Sequence, residues 1–163
     1  MKNIRAASVT DIKELNELYQ STILNVNSRD YSQEEVEDWA SCGNDIKKWE
    51  EQLAGDFYFV VAENEEKRIV GFASIRNDGY LHLLFVHKNF QSQGVASLLY
   101  KNAEEYAAEN KITKIFSEVS ITARGFFEKQ GFMVDEEQRR TANKLSLKNF
   151  KISKMILVSE IAM

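Results

Sequence analysis

The six residues Gln91-Ser92-Gln93-Gly94-Val95-Ala96 constrain the fold of this chain more than any other stretch. They follow the apolar run 81–86, which is typical of a buried strand, and they open a helical pattern of apolar residues, Val95, Leu98 and Leu99. The sequence therefore predicts a strand, a loop of small residues and a helix N-terminus in direct succession. Backbone N–H groups in the first turn of a helix lack intrahelical acceptors and lie at the positive end of the helix dipole, so this site favours an anion such as a pyrophosphate.

A second stretch of the same kind begins about 26 residues after Gly94 and reads Ser-Ile-Thr-Ala-Arg-Gly-Phe-Phe-Glu-Lys-Gln-Gly-Phe from Ser120 to Phe132. It follows the strand-like run 114–119 and has the pattern of a short helix that ends at Gly131. The chain thus contains two strand-to-helix units in a row. In such units, ligands bind at the carboxyl ends of the strands, where the connections diverge.

Together the two segments resemble the signatures of the GNAT superfamily of acetyl-coenzyme A-dependent N-acetyltransferases. The first signature, Gln/Arg-x-x-Gly-x-Gly/Ala, is matched by Gln91, Gly94 and Ala96. The second, roughly Asn-x-x-Ala-x-x-Phe-Tyr-x-x-x-Gly-Phe, is similar to the segment from Ser120 to Phe132. Within the superfamily, the string Ser-Ile-Thr-Ala-Arg and the later run 147–150 are similar to a bacterial subgroup of small, functionally unassigned acetyltransferases. The resemblance implies an acetyltransferase that uses acetyl-coenzyme A as co-substrate.

The order of elements predicts an α/β fold with a GNAT-like mixed, largely antiparallel sheet of about six to seven strands, helices on both faces, and a splay between the fourth and fifth strands. One domain is expected over residues 1–163. Residues 135–149 are expected to be the least structured stretch, a mobile hairpin near the substrate. Strands are predicted at 4–8, 57–63, 68–76, 80–86, 114–119, 132–136 and 150–158, with helices after Thr10 or Asp11, after Ser32, around 46–53, from the loop at 91–96, and at 122–130.

Composition excludes several classes of protein. The net charge is −4 and the isoelectric point about 5.3, which argues against a nucleic-acid footprint. No apolar run approaches the ~20 residues of a membrane span, and the start lacks the apolar core of a signal peptide, so we expect a cytoplasmic protein without a membrane partner. Cys42 is the single cysteine, so neither a disulfide framework nor a metal site is expected. The chain is expected to be a monomer or homodimer.

The resemblance assigns the cofactor contacts to these two segments and to the strand that precedes the first. In the family, backbone groups of that strand bind the pantetheine arm and polarise the thioester carbonyl, while backbone amides of the first signature bind the pyrophosphate. Two positions depart from the family: serine replaces the asparagine that touches the pantetheine arm, and phenylalanine replaces the tyrosine acid. The implied cofactor-binding residues are Phe85, Val86, Gln91, Gln93, Gly94, Val95, Ala96, Ser97, Ser120 and Phe127.

The missing tyrosine leaves the route of the departing thiolate open. Phe127 has no proton to donate, so the thiolate leaves unassisted or through water, or a hydroxyl of Tyr31 or Ser120 substitutes. An ammonium acceptor must lose a proton before it attacks, which calls for a base. Glu118 and His82 are the candidates, and a structural role remains open for each. The candidate catalytic residues are Glu118, His82, Phe85 and Ser120.

The segment 30–39 combines five carboxylates with Tyr31 and Trp39. Because the corresponding region lines the acceptor side in the family, we expect it to form a binding wall for a cationic or aromatic amine. The alternative is a solvated amphipathic helix whose two aromatic residues face the core.

The sequence thus predicts an N-acetyltransferase that moves the acetyl group from acetyl-coenzyme A to a primary amine by direct attack in a ternary complex. The acceptor is expected to be a small amine or a peptide. One alternative is a protein lysine or N-terminal acetyltransferase. Another, of a different class, is a non-catalytic acyl-coenzyme A sensor or interaction module, which the absence of the tyrosine at Phe127 keeps open.

Overall fold

The computed structural model describes residues 2–157, which form a seven-stranded sheet with helices on both faces. The strand order is β1-β2-β3-β4-β5-β7-β6; the β4–β5 pair is parallel and the other neighbours are antiparallel. The predicted α/β fold class is therefore confirmed. The strands are β1 (Asn3–Ala6), β2 (Phe57–Glu63), β3 (Ile69–Arg76), β4 (Tyr80–Val86), β5 (Lys114–Ser120), β6 (Met133–Thr141) and β7 (Ser146–Met155), and the helices are α1 (Ile12–Asn25), α2 (Gln33–Ser41), α3 (Ile46–Ala54), α4 (Val95–Glu109) and α5 (Ile121–Lys129).

Local sequence signals account for the first helices. The apolar positions of α1 recur on one face, and Leu15 and Ile23 on that face are fully buried. Helix α2 begins with the predicted capping box, in which Ser32 and Glu35 each accept a hydrogen bond from the other's backbone N–H. Within residues 2–157, no helix combines the length and the apolar character that a bilayer crossing requires.

The core is divided between the two faces of the sheet. Helices α1, α2 and α3 cover one face, where Phe59 and Phe72 pack against Trp49 and other apolar side chains. Helices α4 and α5 cover the other face, where Tyr100 and Phe127 belong to a second buried cluster.

The expectation of a poorly structured stretch at 135–149 is wrong. Strands β6 and β7 pair from Met133 and Ser153 to Thr141 and Ser146. The prediction ended β6 too early because β6 is an edge strand whose residues are mostly polar and exposed, so they show no apolar alternation. The turn of this hairpin is held by Asp38, whose carboxylate accepts the backbone N–H groups of residues 143–145. The last residue of the predicted final strand, 158, lies outside the described residues.

The predicted splay between the fourth and fifth strands is present. Strands β4 and β5 pair at Tyr80 with Phe116 and at Leu81 with Ser117, and the ladder goes no further. The Ser117 hydroxyl donates to the Leu81 carbonyl at 2.6 Å and fixes the last point of contact. Beyond it the two strands diverge.

Tyr31, in the α1–α2 connection, binds two backbone groups on the β5 side of this opening, and the removal of its hydroxyl provides a stability test. Its hydroxyl donates to the Lys148 carbonyl at 2.6 Å and accepts the Ile121 N–H at 3.0 Å. Tyr31→Phe leaves both backbone groups without that partner, so we expect a loss of about 1–3 kcal/mol in the free energy of unfolding, measured by urea denaturation.

Tyr106→Phe is the matched control for this substitution. The Tyr106 ring stacks on Tyr58, and its hydroxyl has no hydrogen bond within residues 2–157. A change below about 0.5 kcal/mol is expected for the control. Equal losses in the two variants would contradict the structural role assigned to the Tyr31 hydroxyl.

Candidate functional site

The opening between β4 and β5 forms a cavity of about 660 Å³. It extends along the whole of β4. At the carboxyl end of β4 it is bounded by residues 90–97, which we call the loop end. At the other end it is bounded by Tyr80, His82, Glu118 and Arg140, which we call the hairpin end because Arg140 lies on β6. The cavity therefore joins a helix N-terminus to a group of polar and charged side chains.

The backbone of β4 has polar groups that face the gap. The His87 N–H donates to the Val70 carbonyl, so His87 and, by the alternation of an antiparallel ladder, Phe85 point their backbone groups toward β3. Leu84 and Val86 consequently point theirs toward the gap. The Val86 carbonyl is already bound there by the Thr22 hydroxyl at 2.9 Å and the Gln91 side-chain amide at 2.8 Å.

This alternation corrects the sequence assignment at Phe85. The backbone of Phe85 is used by β3, and the groups that remain for a ligand are the N–H and C=O of Leu84 and the N–H of Val86. The Phe85 side chain still lines the cavity and contacts the rings of Tyr19 and Trp39. Side-chain pattern alone did not reveal the direction of the backbone groups, because that depends on the register with β3.

A bulge in β4 lies at His82. Leu81 pairs with Ile75 and Leu83 pairs with Ser74, so His82 is the extra residue on β4. The bulge places the rings of His82 and Tyr80 next to each other, with centroids 5.6 Å apart, and the Phe57 ring lies 5.3 Å from His82 on the other side. The bulge lies at the hairpin end of the cavity.

At the loop end, Gly94 is the N-cap of α4 and has a φ of 81°. A side chain at Gly94 would meet no atom within 4 Å, so the approach to the first turn of α4 is open. Gly94, Val95, Ala96 and Ser97 all line the cavity, as the sequence predicted.

Two predicted donors of the loop have other positions or roles. Gln93 is exposed and does not line the cavity. The Gln91 side chain does line it, but its amide group binds the Val86 carbonyl and fixes the loop to β4. At the loop end, the groups suited to an anion are therefore chiefly backbone N–H groups and the positive end of the helix dipole.

Four buried polar atoms of cavity residues have no hydrogen-bond partner within residues 2–157. They are Oε1 of Gln52, Nδ1 of His82, Oγ1 of Thr122 and Oδ1 of Asn149. Buried polar groups are rarely left unpaired unless a ligand or water completes them. Together with the free backbone groups of β4 and the open N-terminus of α4, they fit a long ligand with polar groups along its length and an anionic end, as acetyl-coenzyme A has.

Ser120 and Phe127, which replace the family's asparagine and tyrosine, both stabilise the fold. The Ser120 hydroxyl caps α5 by accepting the Ala123 N–H at 3.0 Å. The Phe127 side chain is 3% exposed and lies edge-on to Tyr100 and Phe132. Ser120 and Phe127 both line the cavity. The Tyr31 hydroxyl is used both as donor and as acceptor, whereas within residues 2–157 the Ser120 hydroxyl only accepts, from the Ala123 N–H and the Asn27 side-chain amide, so its proton is left to donate. Sequence reasoning missed the Thr122 hydroxyl, which no local signal distinguishes from an ordinary helix residue.

Glu118 lies at the hairpin end and is held by three donors. Its carboxylate accepts from the Tyr80 hydroxyl at 3.3 Å, from the Gln138 side-chain amide and from the Arg140 guanidinium. The Glu118 side chain is 21% exposed, whereas that of Arg140 is 56% exposed. Glu118, one of the two candidate bases, lines the cavity, and its ion pair with Arg140 was not predicted from the sequence.

His82 is neutral at pH 7. Burial, and to a lesser degree the positive charges of Arg140 and Arg76, lower its pKa to about 4. A weakly basic imidazole with an unpartnered Nδ1 suits hydrogen bonding better than proton abstraction. The structure thus places both candidate bases at the same end of the cavity and gives them different environments.

The acidic wall expected from segment 30–39 is not part of the cavity. Tyr31 and Trp39 line it, but the carboxylates of this segment do not. Asp38 binds the β6–β7 turn and Glu35 caps α2, so each serves the fold. Among the described residues that line the cavity, one is acidic, Glu118, and four are basic: Arg29, Lys48, Arg140 and Lys148.

This chain is similar to known proteins in sequence and in fold. Residues 27–154 match the family model described as the acetyltransferase (GNAT) domain. The uncharacterized N-acetyltransferase YafP of Escherichia coli strain K12 is 32% identical over 136 residues, which cover 83% of this chain and 84% of YafP. A GCN5-related N-acetyltransferase from Rhodopseudomonas palustris has a TM-score of 0.91 at 24% identity over 96% of both chains. The PaiA N-acetyltransferase from Thermoplasma acidophilum, solved in complex with coenzyme A, has a TM-score of 0.78 at 20% identity over 96% of this chain and 99% of that chain.

Substitution of Gly94 tests the anion site at the loop end. Gly94→Asp and Gly94→Asn impose nearly the same shape and backbone strain and differ in one negative charge. Like charges about 5 Å apart repel by roughly 1–3 kcal/mol at the effective dielectric constants of a protein surface. We therefore expect Gly94→Asp to bind coenzyme A at least about tenfold more weakly than Gly94→Asn, measured by isothermal titration calorimetry. Equal affinities in two folded variants would rule out a phosphate at the N-terminus of α4.

His82 should also affect the pH dependence of stability. Its pKa is about 4 in the folded chain against an ordinary value of 6.5, so the unfolded chain binds the proton more readily between these values. The stabilising contribution is complete above about pH 6.5 and is lost as the pH falls toward 4, up to about 3 kcal/mol in all. We expect His82→Asn to lose less stability than the wild type between pH 7.5 and pH 4.5 in urea titrations. Parallel pH profiles would show that His82 is not buried as a neutral ring.

Proposed function

The chain belongs to the GNAT acetyltransferase family, and from this premise we propose that it transfers an acetyl group from acetyl-coenzyme A to a primary amine by direct attack within a ternary complex. GNAT acetyltransferases use acetyl-coenzyme A, and the thioester supplies both the acetyl group and a good leaving group. The observation that carries the proposal is the divergence of β4 and β5, which opens a cavity with the N-terminus of α4 at one end and polar side chains at the other. Two substrates have room to meet along β4.

The residues of the chain would place and polarise the reacting groups. The N–H groups of Leu84 and Val86 face the gap and can donate to an acyl carbonyl as negative charge develops on its oxygen. The first turn of α4, beyond Gly94, would hold the pyrophosphate of the cofactor. The unpartnered hydroxyl of Thr122 lies in the same wall and can donate to the pantetheine arm or its sulfur. Much of the rate enhancement in such a site comes from placement.

The amine must be neutral when it attacks. Its nitrogen lone pair forms the new C–N bond, the C–S bond breaks, the sulfur leaves as thiolate, and the amine proton passes to a base. A primary ammonium has a pKa of ~10.4, so a base is useful near neutral pH. Glu118 is the better candidate because its carboxylate lies in the cavity wall and its negative charge attracts an ammonium, whereas the neutral ring of His82 does not. A thiol has a pKa of ~8.5, so its thiolate can leave without the acid that Phe127 does not provide.

The second candidate function is a non-catalytic acyl-coenzyme A sensor, and the absence of a hydroxyl at Phe127 favours it. A measurement of turnover distinguishes the enzyme from the sensor. The chain would be incubated with acetyl-coenzyme A and panels of amino acids, polyamines, aminoglycosides and peptides. Thiol release together with an N-acetylated product detected by mass spectrometry supports the enzyme. Saturable binding of acetyl-coenzyme A without product from any amine supports the sensor.

The role of Glu118 is tested by Glu118→Gln, which keeps the shape of the side chain and removes its basicity. We expect the rate to fall by about 10²–10⁴-fold with little change in coenzyme A affinity. The defect should shrink as the pH rises toward the pKa of the amine, because more of the acceptor is then already neutral. The measurement is the pH dependence of kcat/KM.

Two variants serve as comparisons for Glu118→Gln. Glu136→Gln removes a carboxylate that pairs with Lys151 on the exposed side of β6 and does not line the cavity, so its profile should match the wild type. His82→Asn reports on the other candidate base. A defect in Glu118→Gln that does not vary with pH and is accompanied by lower thermal stability would make Glu118 structural.

A further inference from the structure

The charges at the hairpin end are arranged as a pair of opposite sign in the cavity wall. Glu118 on β5 and Arg140 on β6 form an ion pair, and both residues line the cavity. They lie on strands separated by β7, so the pair depends on the register of the β6–β7 hairpin with β5. Among the described residues that line the cavity, Glu118 is the single acidic one, and the other charged residues are cationic.

Glu118 and Arg140 differ in burial and in the number of hydrogen bonds that their side chains make. Glu118 is largely buried and already accepts hydrogen bonds from Tyr80 and Gln138. Arg140 is more than half exposed, and its Nη1 contact with Glu118 is the one hydrogen bond that its side chain makes within residues 2–157. The Nε–H and the Nη2 group of Arg140 therefore remain to bind a planar anion such as a carboxylate.

We propose that the acceptor is a free amino acid, a molecule with an amine and a carboxylate, and that Arg140 is the residue that selects it. This rests on the proposed function. The carboxylate of the acceptor binds the guanidinium of Arg140, and its ammonium takes the place of Arg140 at Glu118. The amine thereby reaches the carboxylate that accepts its proton.

Charge balance favours this acceptor over a simple amine or a polyamine. When a zwitterion enters, each buried or partly buried charge exchanges one opposite partner for another, so no charge is left uncompensated. A polyamine would bring a second cation next to Arg140 and would compete with it for the one carboxylate in the wall. The neutral His82 beside them adds no charge of its own.

The test compares acceptors that differ in the carboxylate alone. Leucine, leucinamide and isopentylamine form one series, and lysine with cadaverine forms another. At saturating acetyl-coenzyme A, we expect kcat/KM to be at least about 100-fold higher for the preferred amino acid than for its decarboxylated amine. Arg140→Gln should raise KM for the amino acid by tenfold or more and reduce the preference for the amino acid over its decarboxylated amine to within about twofold. Arg140→Lys should restore part of it.

Arg139→Gln is the matched control. Arg139 lies next to Arg140 on β6, but it binds the side chain and carbonyl of Ser146 and does not line the cavity. Its kinetics should equal those of the wild type. A preference for the amine, the amide or a peptide N-terminus, or an unchanged preference in Arg140→Gln, would overturn the proposal.

A binding measurement separates this inference from the proposed function. Calorimetric titration of the same amino acids and amines into the enzyme saturated with coenzyme A requires no turnover. Amino acid binding that Arg140→Gln weakens at least tenfold supports the inference even if no acetylated product forms, in which case the proposed function alone fails. Absence of amino acid binding, with amines bound normally, overturns the inference and leaves the acetyltransferase intact.

Discussion

The site depends on the early end of the ladder between β4 and β5. A parallel pair that continued along both strands would consume the backbone groups of Leu84 and Val86 and close the sheet. The ladder stops after Leu81 and Ser117, and these backbone groups are left at the wall of a cavity. Backbone N–H groups that lack a strand partner are unfavourable in a buried place unless something binds them. The early end of the ladder therefore leaves backbone groups that a bound ligand can pair with.

Several long-range hydrogen bonds keep this opening from collapsing. Tyr31 joins α5 to β7, Thr22 on α1 binds the Val86 carbonyl, and Asp38 on α2 binds the turn between β6 and β7. Each bond joins segments that are distant in the sequence. Within segment 30–39, the Tyr31 hydroxyl and the Asp38 carboxylate therefore support the elements around the cavity, and none of the five carboxylates of this segment lines it.

Features with local causes were predictable from the sequence, and features set by register were not. The loop at Gly94, the capping box at Ser32 and the buried face of α1 follow from residue types a few positions apart. The Arg140–Glu118 pair joins residues 22 positions apart across an intervening strand, so no short pattern indicates it. The direction of the Phe85 backbone was likewise missed, since it is decided by the partner strand β3.

Because Phe127 provides no acid, deprotonation of the amine is the step of the proposed reaction that most needs a protein group. Its ring is buried edge-on between Tyr100 and Phe132, so the position that carries an acid in related enzymes here contributes apolar contact to the core. A thiolate is stable enough near neutral pH to leave without a proton, whereas an ammonium is inert until it loses one. Proton removal is then the step for which the protein must provide a group. In the proposed mechanism Glu118 is this group, and an acceptor whose carboxylate binds Arg140 would take over the ion pair that Arg140 makes with Glu118.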